Sequence, residues 1–354
     1  MSNFVEYDNK IAFHPGFYLK EIVDDSGLTQ EDFAKRLGTT PKNLSIILRG
    51  DQSLSKDIAG KLSRMLGTSI SYWLNLQKTY DEKCAEFQLK QDLEKEKKVF
   101  KFIDYGYFRD FFDFPELLRN IEEKVKRVRE FLSICSLTVL QNRDLTISFR
   151  SYTDNMSVSN IVNANVMVQI AINKTINIES PKYDKKQLQK VIPLILEQTK
   201  NHASFLPIIT ELLKSAGVIL IPLPNLKNSG INGATKKVNG KVMLMVNDRR
   251  HYADTFWFSM FHEIGHIING DLGITVNGES EDEADLYAKD ILIPNDKYKQ
   301  FVERGFFSEK DIVEFAEIIN RDPGIIYGRL QNDKIIPYTE KKIQNKLRYR
   351  YDIS

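Results

Sequence analysis

The sequence of 354 residues predicts a mainly α-helical protein with a small β-sheet, made of an N-terminal bundle of short helices and a C-terminal α+β domain. Three observations predict this fold class. Residues 14–80 form a string of short amphipathic segments, several of which end at a glycine. Two apolar runs at residues 217–222 and 242–246 are typical of buried strands. Residues 251–271 are apolar on most sides of a helix, which indicates a buried helix.

The composition limits where the protein works and what it binds. The formal net charge is +2, so any contact with nucleic acid has to come from a local basic patch. The two cysteines, Cys84 and Cys135, lie far apart and form no zinc-binding pair, which is typical of a reducing cytosol. The N-terminus has no signal-peptide pattern, and the apolar runs are too short to span a membrane. We expect a soluble cytoplasmic protein with no membrane contact.

Capping residues predict the helices of the N-terminal bundle. Thr29 opens one helix as its N-cap, and Gly38 ends that helix. Thr40 and Pro41 open the next helix, which Gly50 closes. Two short helices joined by a short turn containing glycine match a helix-turn-helix, whose second helix enters the major groove of DNA.

The candidate DNA contacts lie on these two helices. Asn43 and Arg49 can read base edges, and Lys42 suits a phosphate. The backbone N–H groups at the helix start suit another phosphate. The predicted DNA-contacting set is Thr29, Gln30, Thr40, Lys42, Asn43, Ser45 and Arg49. A helical module for protein binding or dimerisation would show the same periodicity, so this alternative stays open.

Several motifs in this region also belong to a known family. They are His14-Pro15-Gly16, Leu28-Thr29-Gln30, Leu37-Gly38, Arg49-Gly50 and Tyr72-Trp73-Leu74-Asn75-Leu76-Gln77. Through them the stretch resembles the HigA-type antitoxins of the Cro/repressor-like family. The resemblance implies operator binding as a homodimer and repression of the protein's own operon. A cognate toxin or a cleaved repressor protein is a further candidate partner.

Residues 81–200 are predicted to form a helical connector that links the two ends of the chain or binds a partner. Residues 116–132 have the periodicity of an amphipathic helix. Residues 185–200 also read as a helix, in which Pro193 predicts a kink or a break. Residues 137–180 fit helices or short strands equally well, and the sequence does not decide between them.

The C-terminal region, residues 201–354, carries a candidate metal site. His262 and His266 are one helical turn apart with Glu263 between them, which is the H-E-x-x-H arrangement of a zinc site with a general base. Buried imidazoles need partners because unpaired polar groups are costly inside a protein. Gly265 on the same helix would let another element approach closely. The Gly-rich stretch at residues 229–235 is predicted to be a turn.

A catalytic zinc ion needs a third protein ligand and an open position for water. The acidic helix predicted at residues 279–294 offers several carboxylates, of which Glu281 and Asp285 fall on the side of its small and apolar residues. We favour Glu281 as the ligand, with Asp285 accepting a hydrogen bond from a ligand histidine. Glu283 remains the alternative ligand.

Bound in this way, one zinc ion per chain would lower the pKa of its water to about 7. Glu263 would take the proton and pass it to the leaving amine of a peptide bond. His251 and Tyr252 lie close in sequence and could assist, but packing roles are favoured for both, as for His14 and His202.

Three segments of this region resemble the ImmA/IrrE family of metallopeptidase domains. They are DTFWFSMFHEIGHI, EDEADLYAKDILIP and AEIINRDPGIIYGRLQNDKIIP. The resemblance implies a gluzincin-like α+β fold with His262, His266 and Glu281 as zinc ligands and Glu263 as the base. Members of this family commonly lie beside a repressor-like domain, and some cleave a DNA-binding repressor, but the resemblance names no substrate. Because a helix-turn-helix precedes the site in this chain, we expect the substrate to be a regulatory protein.

The sequence thus predicts a helix-turn-helix domain at residues 1–80, a connector at 81–200 and a zinc metallopeptidase domain at 201–354. The expected function is that of an antitoxin-type transcriptional regulator that cleaves a partner or regulatory protein. The alternative is a non-enzymatic regulator whose metallopeptidase-like domain binds a toxin or senses a ligand.

Overall fold

The computed structural model describes residues 3–142, 157–271, 279–338 and 341–353. The prediction of a mainly helical protein with a small sheet is confirmed. The chain divides into two compact units, Met1–Lys95 and Glu96–Ser354. Among the described residues, no helix is both long and apolar enough to cross a membrane.

The first unit begins with an antiparallel hairpin and continues as a helical bundle. Its elements are β1 (Phe4–Tyr7), β2 (Lys10–Phe13), α1 (Pro15–Asp25), α2 (Gln30–Leu37), α3 (Pro41–Leu48), α4 (Lys56–Leu66) and most of α5 (Ile70–Phe100). The predicted caps are present: the Thr29 hydroxyl accepts a hydrogen bond from the backbone of Asp32 at 3.1 Å, and Thr40 accepts one from Asn43 at 3.1 Å. Gly38 between α2 and α3 has a φ of 69°, which favours glycine. The bundle packs around buried side chains that include Leu19, Phe33, Leu44, Ile47 and Trp73.

The second unit continues with α6 (Tyr105–Phe112), α7 (Ile121–Leu132), a 3₁₀ turn (Leu137–Gln141), α8 (Val158–Ile176), α9 (Lys185–Glu197) and α10 (Phe205–Ser215). The remaining elements are β3 (Val218–Leu223), β4 (Gly233–Val238), β5 (Lys241–Asn247), α11 (Ala253–Asn269), α12 (Glu279–Leu292), α13 (Asn295–Glu303), α14 (Glu309–Ile319), α15 (Pro323–Asn332) and α16 (Lys341–Leu347).

The three-stranded sheet of this unit has the order β3-β5-β4, with β3 parallel and β4 antiparallel to β5. Every residue of β5 is buried, so both faces of the sheet are covered. Both α8 and α11 pack against the sheet, and α11 also packs against α12 and α15. The aromatic side chains of Phe256, Trp257 and Phe261 place α11 at the centre of the core.

Several sequence predictions need correction. The helix predicted at residues 116–132 begins at Ile121, where the Asn120 side chain caps the backbone of Glu123 at 3.0 Å. The chain does not break at Pro193, because α9 continues through it to Glu197. The stretch 229–235 is not wholly a turn, since β4 begins at Gly233. Of residues 137–180, which the sequence leaves undecided, the described part contains a 3₁₀ turn (Leu137–Gln141) and α8, and residues 143–156 lie outside the described residues.

A buried lysine connects α8 to the sheet. The Lys241 ammonium at the start of β5 donates hydrogen bonds to the carbonyl oxygens of Thr175 at 3.0 Å and Ile178 at 2.6 Å. A third carbonyl, that of Ile176, lies 3.4 Å away. A cation at a helix C-terminus is stabilised by the helix dipole and satisfies carbonyl groups that have no partner within the helix.

We expect Lys241→Met to destabilise the second unit by about 2 kcal/mol, because charged hydrogen bonds are lost and the carbonyls of α8 stay buried. Urea unfolding of the whole protein, followed by tryptophan fluorescence, measures the shift in midpoint. Lys237→Met, at an exposed position of β4, is the matched control. Equal midpoints for the two variants would contradict the role of Lys241.

Candidate metal centre

The centre forms where α11 and α12 pack closely together. A Cβ atom added at Gly265 would lie only 3.1 Å from the Cα atom of Ala284. The absence of a side chain at Gly265 therefore permits the close approach that the sequence predicts. This contact brings the first turn of α12 beside the two histidines of α11.

Three side-chain donors meet at this point. The Nε2 atoms of His262 and His266 are 3.2 Å apart. Oxygens of Glu281 lie 3.4 Å from the His262 Nε2 and 3.5 Å from the His266 Nε2. A tetrahedral zinc ion with ligands at its usual bond lengths holds neighbouring donors about 3.3 Å apart. The spacing and the chemistry of the three donors therefore fit a zinc ion.

The structure places Glu283, the alternative ligand, elsewhere. Its carboxylate accepts a hydrogen bond from the Asn269 amide at 3.2 Å, on the exposed side of the two helices. The described residues that meet at the donor cluster are thus His262, His266 and Glu281, the three that the sequence analysis favours.

Carboxylates also face the outer nitrogens of both histidines. The His262 Nδ1 lies 2.7 Å from an oxygen of Asp285, which accepts its proton in a hydrogen bond when Nε2 is the ligand atom. The His266 Nδ1 lies 3.8 Å from Asp271. Asp271 was missed by the sequence analysis, although its place directly after the last turn of α11 is a usable signal. The hydrogen bond to Asp285 favours the His262 tautomer whose Nε2 can act as a ligand atom, whereas Asp271, beyond hydrogen-bond distance, adds negative charge near His266.

The electrostatic environment of His262 favours positive charge. Burial alone would lower its pKa, but hydrogen bonds to Asp285 and Glu281 and the negative charge of Glu263 outweigh burial and raise the pKa to about 10. Such a concentration of carboxylates around an imidazole stabilises either a proton or a metal cation there.

Glu263 is buried beside the start of β4. A Cβ atom added at Gly233 would lie 2.7 Å from the Cγ atom of Glu263 and 2.8 Å from its Oε1. A side chain at Gly233 would therefore displace Glu263. This role of Gly233 is not evident from the sequence, because nothing in the local sequence shows that the strand passes the glutamate.

The remaining histidines and Tyr252 make structural contacts. The His251 Nδ1 lies 2.5 Å from Asp352, and the Tyr252 hydroxyl accepts a hydrogen bond from Gln344 at 3.1 Å. His202 and Asp322 are joined by a contact of 2.9 Å, and His202 stacks on Tyr349. His14 is buried, and its Nδ1 accepts a hydrogen bond from the backbone of Gly16 at 2.9 Å. None of these contacts involves the donor cluster.

In the first unit, the candidate DNA-contacting residues differ in their availability. Gln30, Lys42 and Arg49 are exposed, whereas Thr29 and Thr40 use their hydroxyls as helix caps. The Arg49 guanidinium is held by Asp51 at 2.8 Å and donates to the Ser45 hydroxyl at 2.7 Å. The Asn43 amide donates to Thr39 at 2.9 Å.

Two protein families match this chain. Residues 19–73 match the helix-turn-helix family, and residues 219–319 match the IrrE N-terminal-like domain of the M78 peptidases. The chain therefore belongs to the helix-turn-helix family of DNA-binding regulators and carries an IrrE N-terminal-like domain after it. The M78 family is metallopeptidase-like, in agreement with the donor cluster described above.

Similar proteins match over the helix-turn-helix part. Virulence-associated protein I of Dichelobacter nodosus is 37% identical over 76 residues, which are 21% of this chain and 70% of that protein. The uncharacterized HTH-type transcriptional regulator YddM of Escherichia coli K12 is 34% identical over 79 residues, 22% of this chain and 84% of the regulator.

Solved structures of two antidote proteins are also similar. One is a putative antidote protein of a plasmid maintenance system from Nostoc punctiforme, with 32% sequence identity and a TM-score of 0.23. The match covers 23% of this chain and 91% of the chain in that structure. The other, a HigA-family addiction module antidote protein from Coxiella burnetii, has 34% identity and a TM-score of 0.22, with coverages of 24% and 94%.

We expect Glu281→Gln to lower the zinc affinity of the full-length protein by about 100-fold or more, because a charged ligand is lost. Glu283→Gln, the same chemical change two residues away, should leave the affinity unchanged. Competition with a chromophoric zinc chelator, after metal has been stripped from each variant, measures both. Equal losses in the two variants would contradict the assignment of Glu281.

Proposed function

We propose that this DNA-binding regulator is of the antitoxin type and that its second unit is a zinc-dependent endopeptidase that cleaves a partner or regulatory protein. The observation that carries the proposal is the donor cluster of His262, His266 and Glu281, whose atoms lie 3.2–3.5 Å apart. Glu263 follows His262 directly on α11 and is buried beside Gly233 at the start of β4. One zinc ion per chain satisfies this site.

Zinc, when bound, polarises a water molecule and the carbonyl group of a peptide. His262 and His266 offer their Nε2 atoms, and Asp285 keeps the proton of His262 on Nδ1. Glu263 accepts a proton at a carboxylate oxygen and delivers it to the nitrogen of the leaving amine. The contact with Gly233 restricts where the Glu263 side chain can move, which helps to position the base.

The helix-turn-helix supports a regulatory protein, rather than a nutrient peptide, as the substrate of the peptidase. A DNA-binding domain on the same chain brings the peptidase close to other proteins that bind regulatory DNA. The motifs of the first unit support an antitoxin-type autorepressor that binds its operator as a homodimer in the cytoplasm. Homodimers suit operators with two symmetric half-sites. A toxin encoded beside this protein, or a repressor, is then the natural substrate.

Co-expression with the product of the adjacent gene tests the peptidase. Cleavage fragments are expected with the wild type, and Glu263→Gln should slow cleavage by about 100-fold to 10,000-fold while zinc stays bound, because only the base is removed. Glu283→Gln is the control and should cleave normally. A stable uncleaved complex with the wild type would favour the alternative, a non-enzymatic regulator whose metallopeptidase-like domain binds a toxin.

Operator binding is tested by fluorescence anisotropy with the protein's own promoter region. Arg49→Ala should weaken specific binding by about 1–3 kcal/mol, because a base contact is lost. Lys42→Ala should weaken binding to all DNA sequences about equally, because a phosphate contact is lost. The slope of the logarithm of the binding constant against the logarithm of the salt concentration should fall by about 1. Lys83→Ala, at an exposed position of α5, is the control. Unchanged affinity in the first two variants would refute these contacts.

A further inference from the structure

A cavity of about 90 Å³ lies in the second unit between α11, α12 and α15. Apolar side chains such as Phe258 and Leu292 form part of its wall. Pockets for drug-sized ligands usually have volumes of about 300–1,000 Å³, so this cavity suits a single side chain or a small metabolite.

The cavity shares two helices with the candidate metal centre. On α11, Phe258 lies one turn before His262, and on α12, Lys289 lies one turn after Asp285. One turn of helix rises about 5.4 Å, and an extended peptide advances about 3.3 Å per residue. A residue next to the bond held at the metal centre is therefore within reach of the cavity.

The charges that line the cavity are mostly positive. Arg348 is paired with the buried carboxylate of Asp254 through contacts of 2.8 and 2.7 Å. Arg329 is paired with Asp333 at 2.7 Å. Lys289, which is half-buried, and Arg250, which is exposed, also line the cavity. Neither forms an ion pair with a carboxylate of the described ranges, so two lining cations are open to an anionic occupant.

A buried guanidinium nitrogen adds a hydrogen-bond donor to the lining. Arg329 lines the cavity, and its Nη1 is buried with no hydrogen-bond partner in the part of the chain that the structure describes. A buried donor of this kind is usually satisfied by a water molecule or by a ligand, and a carboxylate oxygen can accept its hydrogen bond. The cavity therefore combines apolar walls, cations and an unsatisfied donor.

We propose that this cavity is a specificity pocket for an acidic side chain of the substrate, next to the peptide bond that is cleaved. The proposal rests on the peptidase function proposed above and adds a substrate class to it. The recognised chemistry is a carboxylate on a short aliphatic stem, which a glutamate side chain offers and a free carboxylate metabolite also offers. Volume and position near the metal centre favour the side chain.

Digestion of a complex peptide mixture by the zinc-loaded full-length protein, with the cleavage sites read by mass spectrometry, tests the pocket. We expect acidic residues to be enriched about tenfold at one position beside the cleaved bond, and Lys289→Glu to exchange this preference for basic residues. Lys289→Gln should weaken the preference without reversing it. Lys299→Glu, at an exposed position of α13 outside the cavity lining, should keep the acidic preference. Cleavage without an acidic preference, or with one that Lys289→Glu leaves intact, overturns the proposal.

A binding measurement separates failure of the pocket from failure of the peptidase. Calorimetry with N-acetyl-L-glutamate should show saturable binding to the wild type and to Lys299→Glu but none to Lys289→Glu. If calorimetry shows this pattern of binding and the peptide mixture is not cleaved, the cavity is a carboxylate pocket and the proposed peptidase function is wrong. Binding together with unselective cleavage assigns the pocket to a free metabolite and overturns the substrate proposal. Absence of both binding and cleavage overturns the pocket and the peptidase together.

Discussion

The close packing of α11 against α12 at Gly265 is the contact on which the candidate metal centre depends. With no side chain at Gly265, the backbone of α12 at Ala284 can lie against α11. Glu281, about one turn before Ala284, and Asp285, directly after it, then face the histidines. Glu281 reaches both Nε2 atoms, and Asp285 reaches the Nδ1 of His262. A larger residue at position 265 would separate all of these contacts at once, because one helix carries both carboxylates.

The C-terminal segment fixes the other end of α11. Arg348 forms two contacts with Asp254 in the first turn of α11, and Tyr349 accepts a hydrogen bond from the backbone of Ala253 at 3.0 Å. Burial raises the pKa of Asp254, and the guanidinium of Arg348 opposes this effect. A buried ion pair of this kind adds little net stability but is costly to break, so it specifies one position for the helix.

The sequence predicted the parts of this protein that depend on local rules. Capping residues and periodicity located α2, α3, α11 and α12, and the face of the acidic helix favoured Glu281 over Glu283. The undecided segment around α8 is explained by its burial: apolar residues cover most of that helix, and its many valine and isoleucine residues suit a strand equally well. The roles of Gly233, Asp271 and Arg348 depend on contacts between segments, which periodicity and spacing do not encode.

The two sites on α11 and α12 have opposite electrostatic character. Around the histidines, Glu263, Glu281 and Asp285 produce a negative field that attracts a cation. One turn further along α12, Lys289 lines a cavity in which positive charges are in excess. A peptide with an acidic residue beside the cleaved bond would have its carboxylate repelled by the first region and attracted by the second. This change of sign within a single helical turn favours one register of the peptide, and registers shifted by one residue lose that advantage.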